Sequence, residues 1–125
     1  MVKAILSTII VALLLIGGAF YETTFVNRQF NELNEIITEL YEKTDAHTAV
    51  EDDVVAVKRS WTDKKRWLHA FIPHNEIKEV DLWISETITL VRDKEWADAT
   101  SKLKVLMELS KEIPKNFMIS IENIL

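Results

Sequence analysis

The sequence predicts an all-α protein: one N-terminal transmembrane helix followed by a small antiparallel bundle of about four helices. Three observations carry that expectation. The run AILSTIIVALLLIGGAFY, residues 4–21, holds no charged side chain. Both glycines lie inside that run and the prolines are only Pro73 and Pro114, so the rest of the chain has few helix breakers. From Val26 onward, apolar residues recur at steps of three and four, the period of one helical face.

At about 1.5 Å per residue the uncharged run spans roughly 27 Å, close to a hydrocarbon core of about 30 Å. Ten residues between Ala4 and Phe20 are Ile, Leu, Val or Phe. Each favours insertion by roughly 0.3–0.6 kcal/mol, about 3–6 kcal/mol together, partly offset by Ser7, Thr8 and the glycines. The expected organisation is a transmembrane signal-anchor over residues 1–21 and an extracytoplasmic helical bundle over residues 22–125. Lys3 precedes the run and Glu22 follows it, so the positive-inside rule puts the N-terminus in the cytoplasm and the bundle outside the cell membrane. Gly17 and Ala19 offer an alternative, cleavage after Ala19 and secretion. The run exceeds the usual signal core of about 7–15 residues, which favours the retained anchor. With no cysteine, neither a lipidated Cys nor a disulfide is available.

Within the bundle, Val26, Phe30, Leu33, Ile37 and Leu40 define helix one, with Thr44, Asp45 and Thr48 as capping oxygens at the next turn. Val50, Val54, Val57, Trp61, Leu68 and Ile72 line helix two, which Pro73 ends. Asn75 is the expected cap of helix three, which carries Ile77, Val80, Ile84, Ile88 and Val91 and a second stripe of Trp83, Thr87 and Leu90. Asp93 is the expected cap of helix four, with Trp96, Ala99, Leu103, Leu106, Ser110 and Ile113 inward. Pro114 should kink or break it before a final short helix of Phe117, Ile121 and Ile124. A faint echo of HTAVEDDVVAV in WADATSKLKVL, offset by 49 residues, allows two related hairpins of tetratricopeptide type; ordinary helical periodicity explains it equally.

Beyond Tyr21 the chain carries fourteen Lys and Arg against twenty Asp and Glu, a net of −6. That balance argues against nucleic acid as a partner. The basic stretch KRSWTDKKRW therefore needs another explanation. If helix two folds back on helix one, facing residue numbers sum to about 92, which sets Lys58 and Arg59 near Glu32 and Glu35. The same register sets Lys64, Lys65 and Arg66 opposite residues 26–28, just beyond the membrane. Basic side chains gain about 1 kcal/mol each near anionic lipid, and tryptophan favours the headgroup layer. Lys64, Lys65, Arg66, Trp67 and Phe71 are thus expected to form a membrane-proximal foot; the competing reading is a solvated flank with Trp67 tucked into the bundle.

Little points to chemistry. Residues 22–125 contain no glycine for a phosphate loop or nucleophile elbow. Glu51, Asp52 and Asp53 are consecutive and splay around a helix. His69, His74 and Glu76 are weak candidates for a divalent metal site, and neither a bound metal nor another cofactor is expected. The expected partners are the membrane and either another envelope membrane protein or a second copy. An enzyme is not expected.

The bend at Phe71, Ile72, His74, Glu76 and Ile77 and the terminal SIENIL carry a resemblance. The chain resembles domain-of-unknown-function family four-three-six-three, short helical proteins of Gram-positive bacteria with an N-terminal membrane segment ending in paired glycines. It departs from the family pattern at Pro73 and His47. The resemblance implies the same anchored helical architecture and assigns no catalytic residue. The expected role is contact with another envelope protein, as accessory or scaffold; the alternative is a secreted binding module for a small ligand or metal.

Overall fold

A single helix, α1, runs without interruption from Val2 to Asp45, 44 residues or about 66 Å. The computed structural model describes residues 1–124; Leu125, the last residue of the expected bundle, lies outside the described residues. The first half of α1 stands clear of the rest of the protein, with Ile5 through Ile16 exposed, and its first fully buried side chain is Val26. From there Phe30, Leu33, Ile37 and Leu40 turn one face inward, as the periodicity predicts.

Three further helices complete the fold: α2 (Glu51–Leu68), α3 (His74–Arg92) and α4 (Trp96–Ile124). Each packs on its neighbours in sequence, and α4 returns to pack along α1 more extensively than any other pair. The first and last helices of an open hairpin stack lie apart. This is instead a closed up-down-up-down bundle, and all-α in every described element. Its core is a single cluster that includes Phe30, Trp61, Ile77, Ile84, Leu103 and Leu106.

The buried polar side chains each close onto their own helix. Thr44 Oγ1 donates to the Leu40 carbonyl at 2.7 Å, Thr87 Oγ1 to Trp83 at 2.7 Å, and Ser110 Oγ to Met107 at 2.7 Å. No described buried side-chain polar atom lacks a partner. Trp61, buried against Phe30, donates its indole N–H to Asp81 Oδ1 at 2.7 Å, and Lys65 Nζ meets both Asp81 oxygens at 3.1 Å. Asp81 thereby ties α2 to α3.

Several local expectations are corrected. Helix two ends at Leu68, four residues before Ile72, because Phe71 and Ile72 both donate to the Leu68 carbonyl at 2.9 Å in a tight turn. Pro73 itself, not Asn75, caps α3, its carbonyl accepting from Glu76 at 3.1 Å and Ile77 at 3.2 Å. Asp93 closes α3 and does not open α4. The cap of α2 comes from Asp53, whose Oδ2 accepts the Val50 N–H at 2.9 Å. Helix four runs through Pro114 without a break. Proline removes one donor, the one owed to the Ser110 carbonyl, while its ring is buried among core side chains, so packing holds the helix together across the lesion.

The register between α1 and α2 also differs. Lys64 pairs with Glu32 and Lys43 with Asp53, so facing numbers sum to 96. The linker Ala46–Val50 is longer than a turn confined to residues 45–47 and displaces α2 by about one helical turn. Lys58 and Arg59 consequently stand exposed, with no ion pair among the described residues, and do not meet Glu32 and Glu35.

Candidate functional site

Because the helices alternate in direction, the C-terminal end of α2, the N-terminal end of α3 and the C-terminal end of α4 gather around α1 where its apolar segment stops. Phe71 is the hub of that end. It packs edge-on to Phe25 of α1 at 6.0 Å between ring centroids and to Phe117 of α4 at 6.3 Å. On α4, Met118 Sδ accepts from Asn27 Nδ2 at 3.4 Å, which sets the last turns of α4 beside residues 21–27.

The five residues of the expected foot all lie at this end, in differing states. Trp67 is 67% exposed, not tucked into the bundle. Arg66 is exposed, and Phe71 is half-buried. Lys64 Nζ sits 2.6 Å from Glu32 Oε2 and 3.3 Å from Gln29 Oε1, and Lys65 is held by Asp81. Two of the three basic charges are therefore matched within the protein. The hydrogen bond from Lys64, reinforced by its charge, holds the Glu32 carboxyl below its ordinary value.

Other residues at this end escaped sequence reasoning. Beyond Tyr21, the exposed large apolar side chains among the described residues are Val50, Trp67, Leu82, Met118, Ile119 and Ile124. Four of these six lie at the end facing the apolar half of α1, so this end is more apolar and less basic than the sequence suggests. The available signal was the stretch FMISI, where Met118 and Ile119 are apolar but stand off the stripe of Phe117, Ile121 and Ile124, Ile119 on the opposite side.

His69 and His74 are brought together across the α2–α3 turn, ring centroids 5.9 Å apart and 22° from parallel. Glu76 is engaged elsewhere. It lies with Asn116 in the wall of one hollow, and burial pushes its carboxyl up from its ordinary value, with Asn116 acting the other way. No group of three or more metal-ligating side chains is gathered among the described residues.

Two hollows flank Phe71. The larger, about 620 Å³, lies between α1 and the end of α2. Its part nearest the apolar segment is walled by Tyr21, Phe25, Trp67 and Phe71; its far part is polar, with Gln29, Ser60, Asp63 and Lys64. The smaller, about 250 Å³, lies between α3 and α4 and is lined by Glu76, Asn116, Phe117 and Ile121 among others.

Fold and site thus define a class: a small helical bundle carried on a helix long and apolar enough to cross a membrane. The chain belongs to the family described as Domain of unknown function (DUF4363), whose model matches residues 20–124. No curated protein matches the chain, and no solved structure does.

Proposed function

We propose that this is a single-pass membrane protein whose bundle stands outside the cytoplasm and acts by contact, as an accessory or scaffold to another envelope membrane protein. The observation that carries the proposal is the continuity of α1 from the apolar segment into the bundle core. A rigid joint sets the height and orientation of the bundle above the bilayer, which a docking surface needs and a flexible tether does not supply. The apolar and aromatic side chains grouped at the membrane-facing end support the same orientation.

Retention of the anchor is favoured over cleavage by the uncharged run of residues 4–21, which is longer than the usual signal core of about 7–15 residues. Orientation follows from Lys3 on the cytoplasmic side. The proposal gives the protein no catalytic step and no cofactor. Crosslinking in native membranes followed by pull-down of the full chain tests it: a reproducible second membrane protein is expected. Recovery of the chain alone replaces the accessory role with self-association, and a mature N-terminus at Phe20 replaces the anchor with secretion.

A further inference from the structure

The larger hollow has a polarity gradient that runs the same way as a lipid. Tyr21, Phe25, Trp67 and Phe71 surround the part nearest the apolar segment, and the polar groups of Gln29, Ser60, Asp63 and Lys64 surround the part farthest from it. From Tyr21 to Gln29 is eight residues of α1, about 12 Å. The interfacial layer of one leaflet is roughly 5–8 Å thick. With Tyr21 at the hydrocarbon boundary, the polar end of the hollow therefore stands above the layer of ordinary headgroups. Its volume of about 620 Å³ lies in the range of pockets that enclose a drug-sized group, the scale of a headgroup with its glycerol.

Charge identifies which headgroup fits. The Lys64 ammonium is shared between Glu32 and Gln29, and the Lys64 side chain is only 11% exposed. Asp63, one residue away on the same wall, is exposed and makes no ion pair among the described residues. One cation and one anion balance, with Glu32 adding a further negative charge at the edge. Glu32 already neutralises Lys64, so an anionic headgroup finds no free positive charge and meets the unpaired Asp63 carboxylate. A zwitterion with an N–H donor places its ammonium against Asp63, and its phosphate takes the third N–H of Lys64, the one that Glu32 and Gln29 leave over.

We infer that this groove holds one phospholipid with an ethanolamine-type zwitterionic headgroup, raised out of the leaflet. Its headgroup lies between Asp63 and Lys64 and its upper chain methylenes against Phe25, Trp67 and Phe71. The inference rests on the anchored reading above, and it reverses the preference for anionic lipid that the lysines alone suggest.

The test uses the full chain in nanodiscs of equal phosphatidylethanolamine, phosphatidylcholine and phosphatidylglycerol, released into native mass spectrometry. One retained lipid per chain is expected, with ethanolamine over glycerol headgroups by about fivefold or more, the low end of ordinary coupling between sites. Ser60→Trp, which fills the polar end, should abolish retention. Asp63→Asn, at an exposed position, should keep the fold, shown by unchanged helical content, and erase the ethanolamine preference. Failure to retain a lipid, a preference for phosphatidylglycerol, or retention unchanged in Ser60→Trp with helical content intact overturns the groove while leaving the anchor standing. Absence of the chain from the nanodisc fraction overturns the anchor and the groove with it.

Discussion

The imidazole of His47 lies flat on the indole of Trp96, ring centroids 5.2 Å apart and planes 8° from parallel. The stack joins the turn after α1 to the first residue of α4, at the end of the bundle far from the apolar segment. His47 is also one of two non-glycine residues with positive φ among the described residues, 60°, and Lys94 is the other, at 59°. Both occupy the same place in the same motif. After α1, Thr48 N–H reaches the Lys43 carbonyl at 2.8 Å and His47 N–H the Thr44 carbonyl at 3.0 Å; after α3, Glu95 reaches Leu90 at 2.8 Å and Lys94 reaches Val91 at 3.1 Å. These are paired Schellman caps with a side chain where glycine is usual.

The two caps should answer differently to glycine. Left-handed backbone costs a non-glycine residue about 1–2 kcal/mol, while glycine adds about 0.5–1 kcal/mol of unfolded-state entropy. Lys94→Gly is therefore expected to stabilise the bundle by about 0.5–1 kcal/mol in chemical unfolding. His47→Gly gains the same relief and loses a stack worth about 0.5–1.5 kcal/mol, so it should be neutral or destabilising. Equal gains from both variants would show that the stack contributes nothing.

Pro114 sets two effects against each other. A helix-interior proline is about 3 kcal/mol less favourable than alanine. Replacing the buried ring with alanine removes about two methylene equivalents, near 1.6 kcal/mol. Pro114→Ala should thus gain about 1 kcal/mol and raise Tm by about 4–8 °C in a thermal melt followed by circular dichroism. A fall in Tm would mean that the ring packs better than this comparison allows.

Asp81 serves two donors, one buried and one half-exposed. Asp81→Ala strands the Trp61 indole N–H inside the bundle and should cost about 1–3 kcal/mol. Lys65→Met removes only the half-exposed cation and should cost under about 1 kcal/mol. Urea unfolding of both variants separates these roles; the reverse order would make the ion pair the stronger tie.

The Glu32–Lys64 pair gives bundle stability a pH dependence of known sign. The Glu32 carboxyl lies below its ordinary value in the folded protein, so the pair's contribution is complete above the unfolded carboxylate value, about pH 4.3. It is lost as pH falls through the lower folded value. Glu32 is largely exposed, which limits the effect to about 0.2–1 kcal/mol. In Lys64→Met, the stability difference from the parent should be present at pH 7 and shrink as pH falls below the ordinary carboxylate range. A difference that does not shrink at all over that acid range would assign it to packing by the lysine stem.

The sequence alone determined most of the side chains that are buried along each helix; Val50, expected on the stripe of α2, and Ile124, expected on the last stripe of α4, are instead exposed where the helix ends. Val26 to Leu40 on α1, Val54, Val57, Trp61 and Leu68 on α2, Ile77 to Val91 on α3 and Ala99 to Ile113 on α4 follow the periodicity read from it. It also located the apolar half of α1 as a segment long enough to cross a membrane. A helical stripe depends on residues three and four apart, so it is written in local spacing. Only the tertiary structure decided that Lys64 meets Glu32, that Lys65 meets Asp81, that Pro114 passes unbroken, and that Tyr21, Phe25, Trp67 and Phe71 enclose one hollow. Those outcomes depend on linker lengths and on the register between helices far apart in the chain. One added turn of α2 displacement exchanges every cross-helix partner while leaving each buried stripe intact.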